Sequence, residues 1–365
     1  MSYSGGTLVA LGAKAHVLYS RMLKPEDYWI LLKLESMEEI ASYLKQTESY
    51  GDHLDAMLVG TAHRSTLQYA VHTATLNESA SFMNYLSGDY RKFYVDMLGI
   101  GETVMLKNLF RAIHSKKGFD SRKQRKLFHI PGSKLPYDEL TDCRDFGKLL
   151  ELLSGTRYYG ALKEPIAKML AGENALFALE HAVDIVAETD LWNDIKNLPQ
   201  RERKFIEPIF GVKIDMRNIC HCARCRTYYG MDVSESLARM LPLRYKVSTS
   251  DLRRLMECAD SDEAIKMLEG KFPLYARYFK DAFALKDNKI ASENAVSKCC
   301  YSKALSAMKS GTPGFHTAIG YSVLKSFEIE DIIRITEDVR YDYDIRFAAQ
   351  YLVRPLVDGG EPVWQ

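Results

Sequence analysis

The chain has 365 residues, enough to bury a large core in two or three domains, and its 47% apolar and 27% charged residues are ordinary for a folded, water-soluble protein. A net charge of +1 argues against a whole-molecule field aimed at nucleic acid or anionic lipid. No run of 18 apolar residues occurs, so no span of a bilayer is expected, and seven cysteines, an odd number, fit a reducing cytoplasmic compartment.

In chain order the pattern is helical almost throughout. The stretch Leu8–Ala15 is short, is interrupted by Gly12 and Lys14, and has no basic segment before it, so it is not read as a secretory signal. Pro25, followed by Glu26 and Asp27, suits a first helical turn, where its missing N–H costs nothing and the acids face the positive end of the dipole. Ser36-Met-Glu-Glu39 is a capping box and predicts the next helix start. Breaks are expected at Gly51-Asp52, Gly99–Gly101, Lys116–Ser121, Pro131-Gly132, Gly155 and Pro199. Met216, Ile219, Cys220 and Ala223 form one apolar stripe at i, i+3, i+4 and i+7, and Leu252, Leu255 and Met256 form another. Met216 and Leu255 are therefore read as core positions. Asp232-Val-Ser-Glu235 and Asp260-Ser-Asp-Glu263 predict two more helix starts, with Asp as the cap. Further breaks fall at Gly270–Pro273 and Gly311–Gly314, and no convincing period-2 strand is found. The class is all-α, built from many helices of moderate length.

Two phrases recur three times. One runs Met105-Leu106-Lys107-Asn108-Leu109, then Asp215-Met216-Arg217-Asn218-Ile219, then Glu328-Ile329-Glu330-Asp331-Ile332, at offsets of 110 and 113 residues. The other runs Ile40-Tyr43-Leu44…Tyr50, then Leu149-Leu152-Leu153…Tyr159, then Ala264-Met267-Leu268…Tyr275, at offsets of 109 and 115. Periods of about 20–50 residues indicate solenoids. This longer one predicts three domain-sized lobes, over 1–115, 116–228 and 229–365.

Catalytic chemistry is thin. No phosphate loop, His-Glu-x-x-His pair, Gly-x-Ser-x-Gly elbow or kinase-like set occurs, and acid pairs such as Glu38-Glu39 and Glu330-Asp331 sit on polar helix faces. Within Cys220-His221-Cys222-Ala-Arg-Cys225, Cys222-x-x-Cys225 has the spacing of one half of a zinc knuckle. On a helix, however, Cys220 and Cys222 point about 200° apart and cannot meet at one ion, so Cys220 reads as a small core residue. The densest charge cluster is Lys116, Lys117, Arg122, Lys123, Arg125 and Lys126, with Phe119 and Phe128 close by. It is either a patch that docks a partner or a solvated interlobe loop. The 22 tyrosines suit seals between helices, and in part interfaces.

The order of these phrases resembles the C subunit of archaeal and bacterial V/A-type rotary ATPases, called the d subunit in the eukaryotic vacuolar enzyme. The resemblance rests on Gly12-Ala-Lys-Ala-His-Val-Leu-Tyr-Ser-Arg-Met-Leu23, on Glu26-Asp-Tyr…Glu35-Ser-Met-Glu-Glu-Ile40…Tyr43-Leu, and on Leu106-Lys-Asn-Leu-Phe-Arg111. It continues through Leu149–Tyr159, Met216-Arg-Asn-Ile219 and Asp251-Leu…Ala259-Asp-Ser-Asp-Glu-Ala-Ile265, covering about residues 10 to 340. It implies a funnel of three similar helical lobes around a pseudo-threefold axis. Such a protein is a non-catalytic socket between the membrane proteolipid ring and the D- and F-type central-stalk subunits. It passes torque between ion transport and ATP hydrolysis or synthesis, from the cytoplasmic face, without a cofactor, nucleotide, nucleic acid or membrane span of its own. The other readings are a generic helical scaffold of another assembly and a metal- or thiol-dependent regulator built on Cys220–Cys225.

Overall fold

The computed structural model describes residues 5–51, 54, 64–116, 130, 132–284, 289–341, 344–358 and 361–362. In chain order the helices are α1 Gly5–Arg21, α2 Pro25–Leu31, α3 Met37–Lys45, α4 Arg64–Met83, α5 Gly88–Leu98 and α6 Ile100–Ser115. They continue as α7 Tyr137–Asp142, α8 Phe146–Leu152, α9 Tyr159–Leu170, α10 Leu176–Asn197, α11 Gln200–Tyr229 and α12 Val233–Ala238. The series ends with α13 Thr249–Glu257, α14 Ser261–Lys271, α15 Pro273–Ala284, α16 Lys289–Met308, α17 Phe315–Tyr341 and α18 Ile345–Tyr351. The class is all-α, as the sequence predicts. The one ladder among the described residues joins β1 Val357–Asp358 to β2 Glu361–Pro362, two residues each.

Helix starts follow the caps. Pro25 occupies the first turn of α2 with Glu26 and Asp27 behind it. Ser36, Asp232 and Asp260 each accept the backbone N–H three residues on. In α3 the Glu39 carboxylate reaches back past the cap to the Glu35 N–H, at 2.9 Å. Asp145 and Ser248, not among the predicted caps, close α8 and α13 in the same manner. Two helices are longer than expected, α11 at 30 residues and α17 at 27, and Pro208 lies inside α11 without ending it.

The chain forms two compact units, with the division falling inside α4. The first comprises residues 1–71 and 200–365, the second 72–199. In the first unit, α17 packs on α16 and on α1, and α11 packs on α16, α13 and α17. Met216, Ile219, Cys220, Leu252, Leu255 and Met256 all enter its core, so both predicted stripes face inward. Gly12 lets α1 sit directly on the 313–314 backbone, where a Cβ would come 2.3 Å from the Gly314 nitrogen. In the second unit, α10 packs on α6, α9 and α5. Its core gathers Met105, Leu106, Leu109 and Phe110 of α6 with Leu149, Leu153 and Leu162.

Candidate functional site

Three buried carboxylates, each on a long helix, organise the interior. In the first unit, Asp215 of α11 is fully buried. Its Oδ1 accepts the Tyr245 N–H (3.0 Å), and its Oδ2 accepts the N–H groups of Lys246 (2.7 Å) and Val247 (3.0 Å) and the Tyr275 hydroxyl (2.9 Å). Glu328 of α17 repeats the arrangement on the N-terminal helices. Its Oε2 accepts the Leu23 N–H (2.8 Å), and its Oε1 accepts the Tyr50 hydroxyl (2.7 Å) across 278 residues of chain. Lys325, wholly buried, donates to Glu328 Oε1 (2.8 Å) and to Ser49 Oγ (2.9 Å) and lies over the Tyr50 ring. In the second unit, Glu102 of α6 accepts the hydroxyls of Tyr137 (2.8 Å) and Tyr158 (3.3 Å), with the Arg157 guanidinium at 3.3 Å.

Glu102, Asp215 and Glu328 are spaced 113 residues apart, twice over. Each takes the hydroxyl of a tyrosine that follows a pair of short helices: α2–α3 before Tyr50, α7–α8 before Tyr158, α13–α14 before Tyr275. Burial, with the adjacent carboxylate adding to it, raises the phenols of Tyr137 and Tyr275 well above the usual range, so they serve as donors. The first helical copy is thus three residues out of the register suggested by its apolar residues. Three residues are close to one helical turn and leave the apolar face unchanged, so hydrophobicity alone cannot distinguish the two alignments. The tyrosine of the second copy is Tyr158 rather than Tyr159.

The second unit also carries an acid–base cluster. Lys92 Nζ bridges Asp96 Oδ2 (3.0 Å) and Asp194 Oδ1 (2.5 Å). Arg157 donates to Asp96 Oδ1 at 2.7 Å and approaches Asp190 at 3.6 Å. Gly99 makes room for that guanidinium, since a Cβ there would lie 2.6 Å from Arg157 Nη2. Further ion pairs tie α6 to α10, Lys107 to Asp184 and Arg111 to Glu180, with the acids all on α10.

The predicted cysteine cluster lies on continuous helix, and its thiols diverge. Cys220 Sγ faces the Ser292 carbonyl and Cys222 Sγ the Leu252 carbonyl, each at 3.8 Å, while Cys225 Sγ lies 3.2 Å from His221 Nε2. Burial pushes the Cys220 and Cys222 thiols up to about 12, the reverse of what a metal-binding or nucleophilic thiolate needs. Among the described residues no group of three metal-ligating side chains converges. Of the basic cluster, Lys116 is exposed in a left-handed conformation (φ 53°) that ends α6. Lys117, Arg122, Lys123, Arg125 and Lys126 lie outside the described residues, as do Phe119 and Phe128.

One alignment that motif matching missed is Ser310 Oγ to His316 Nε2 (2.8 Å) and His316 Nδ1 to Glu202 Oε2 (2.6 Å), with His316 stacked on Phe205. The same Glu202 oxygen accepts the His316 backbone N–H at 2.9 Å. Burial alone would raise the Glu202 carboxyl, yet these bonds from His316 hold it below its ordinary value. The arrangement closes the first turn of α17 and fixes the 310–314 loop. A shallow cleft of about 360 Å³ beside the end of α1 is lined by Arg21, Lys24, Asp27, Tyr43 and Glu48. Its charges are already engaged, Arg21 with Glu48 at 3.7 Å and Asp27 with the Tyr43 hydroxyl at 2.6 Å. Among the described residues, no helix is long and apolar enough to cross a membrane.

The family described as ATP synthase (C/AC39) subunit matches residues 11–347. The C subunit of the A-type ATP synthase of Archaeoglobus fulgidus is 24% identical over 331 residues, covering 88% of each chain. That of Methanothermobacter thermautotrophicus is 21% identical over 261 residues, which are 71% of this chain and 64% of the relative. The match therefore spans just under two thirds of the second relative's length and most of the first's.

Proposed function

The chain belongs to the ATP synthase (C/AC39) subunit family, and from that premise we propose that it is a non-catalytic rotor subunit of a V/A-type ATPase. In this reading it is a socket on the cytoplasmic side, peripheral to the membrane. One face receives the D- and F-type central-stalk subunits and the other rests on the proteolipid ring, so torque passes through it between ion transport and ATP hydrolysis or synthesis. Its body is three similar lobes, 1–115, 116–228 and 229–365, arranged as a funnel about a pseudo-threefold axis. The observation that carries this is the joint repeated three times, Glu102–Tyr158, Asp215–Tyr275 and Glu328–Tyr50, with its carboxylates at a constant spacing. A torque coupler has to be stiff, and close-packed helices pinned by buried carboxylates supply stiffness.

The test is native mass spectrometry of the chain mixed with the central-stalk subunits of the same genome, alongside retention of the chain on the isolated proteolipid ring. A one-to-one complex with the stalk subunits is the expected result. Absence of both stalk binding and ring retention, at low and at moderate salt, would overturn the socket reading and favour a scaffold of another assembly. The basic segment from Lys116 to Lys126 is the first place to look for a cross-link to either partner.

A further inference from the structure

In the acid–base cluster of the second unit, Asp96 of α5 and Asp194 of α10 grip the same ammonium of Lys92 from two sides. Asp96 has its other oxygen on Arg157. Asp194 does not: its Oδ2 is buried with no hydrogen-bond partner, on a side chain only 6% exposed. The charged groups facing the pair are Lys92 on α5, Arg157 ahead of α9 and Asp190 on α10 itself, and Arg157 is in turn held by Glu102 of α6 and the Tyr158 hydroxyl. Four carboxylates thus meet two cations, Lys92 and Arg157. Two ionised carboxylates are both acceptors and cannot hydrogen-bond each other, whereas one added proton turns the stranded oxygen into a donor.

We propose that Asp96 and Asp194 form a proton-binding site, in which one proton taken from bulk water sits on Asp194 Oδ2, is donated toward the Asp96 carboxylate, and joins α5 to α10. Burial, reinforced by Asp96 and opposed by Lys92, pushes the Asp194 carboxyl up to about 6 from an ordinary 3.8. Asp190 is raised as well, chiefly by burial and against the pull of Arg157. A carboxyl raised on folding stabilises the fold below its unfolded value, and that contribution is lost as the pH climbs through the folded value. The joint is therefore tight when protonated and loosens between about pH 5 and 7.5. Linkage puts the associated fall in folding constant at about tenfold over that interval.

The test uses the full chain and the variants Asp194→Asn and Asp96→Asn. Asp194→Asn supplies a permanent donor in place of the proton and removes the titration, whereas Asp96→Asn leaves the Asp194 carboxyl but takes away the neighbouring charge that reinforces its rise. Urea unfolding from pH 5 to 7.5 should show the stability gap between Asp194→Asn and the wild type shifting in the variant's favour by about tenfold in folding constant as the pH rises. A gap independent of pH would overturn the proposal. The second readout is carboxyl ¹³C NMR of the wild type. One aspartate resonance titrating near pH 6 should be absent from Asp194→Asn and titrate at lower pH in Asp96→Asn, while those of Asp331 and Asp338, also raised into this range, persist in both. A resonance that is lost in Asp194→Asn but titrates only below pH 5 in the wild type would equally reject the proton site.

Discussion

Replacing Asp215 by Ala tests whether the buried carboxylates hold the short-helix pairs to the long helices. Asp215 accepts three backbone N–H groups and one tyrosine hydroxyl, so the substitution takes the acceptor from four donors at once. Two of those donors belong to deeply buried residues, Val247 at 1% exposure and Tyr275 at 2%. A buried donor left without a partner costs about 1–3 kcal/mol. The amides of Tyr245 and Lys246, nearer the surface, can recover water and cost less. The sum is roughly 4 kcal/mol for Asp215→Ala, large against the usual 5–15 kcal/mol stability of a domain. Tyr275→Phe removes one donor and leaves the carboxylate its three amides, so it should cost about 1 kcal/mol. The assay is urea unfolding by far-UV circular dichroism, with amide exchange at Val247 as a local readout. An Asp215→Ala protein within about 1 kcal/mol of wild type, or a Tyr275→Phe protein equally damaged, would refute the carboxylate as the organising group.

Gly12→Ala should destabilise the contact of α1 with the 313–314 loop by about 1–3 kcal/mol, because backbone and not a movable side chain meets the new Cβ. Gly6→Ala, with nothing within 4 Å, is the control; thermal melting of the pair checks both, and equal midpoints would refute the contact. Asp331 accepts the N–H groups of Val353 (2.7 Å) and Arg354 (2.9 Å), and burial pushes its carboxyl up to about 7 from 3.8. Because the folded value is the higher one, folding is favoured while this buried carboxyl is protonated, and that contribution fades as the pH rises through 7, by about 4 kcal/mol in full, even though the two amides favour the ionised form. Urea unfolding should therefore show the wild type losing stability relative to Asp331→Asn between pH 5.5 and pH 8. A stability gap independent of pH would refute the assignment.

The helical class was legible because caps and apolar stripes are local. Ser36, Asp232 and Asp260 cap as read, and Met216 and Leu255 face the core as their spacing requires. What stayed hidden was polar and distant. Glu102, Asp215 and Glu328 look in the sequence like any acids on a helix, and only the fold brings Tyr158, Tyr275 and Tyr50 to them. Their constant spacing is present in the chain. It is masked because apolar residues, which recur every turn, dominate an alignment of the copies, whereas the acid occurs once in each. The shared proton site was equally illegible, since Asp96 and Asp194 come from helices 98 residues apart in sequence and each alone suggests a solvated charge.

Repetition brings a hazard that the joints address. Three similar pairs of short helices could dock on the wrong long helix, and apolar faces with one shared period would not prevent it. The three carboxylates are not interchangeable, however. Asp215 reads a row of three backbone amides, Glu102 reads two phenols and a guanidinium, and Glu328 carries its own buried Lys325 and reads the Leu23 amide with the Tyr50 hydroxyl. Docking the wrong pair would leave at least one buried charge without its donors, a penalty of several kcal/mol compared with the near-neutral exchange of one apolar face for another. On this argument the carboxylates contribute less to net stability than to the choice of partner. An apolar triad of the same volume would hold helices together as firmly but would not specify which helices those are.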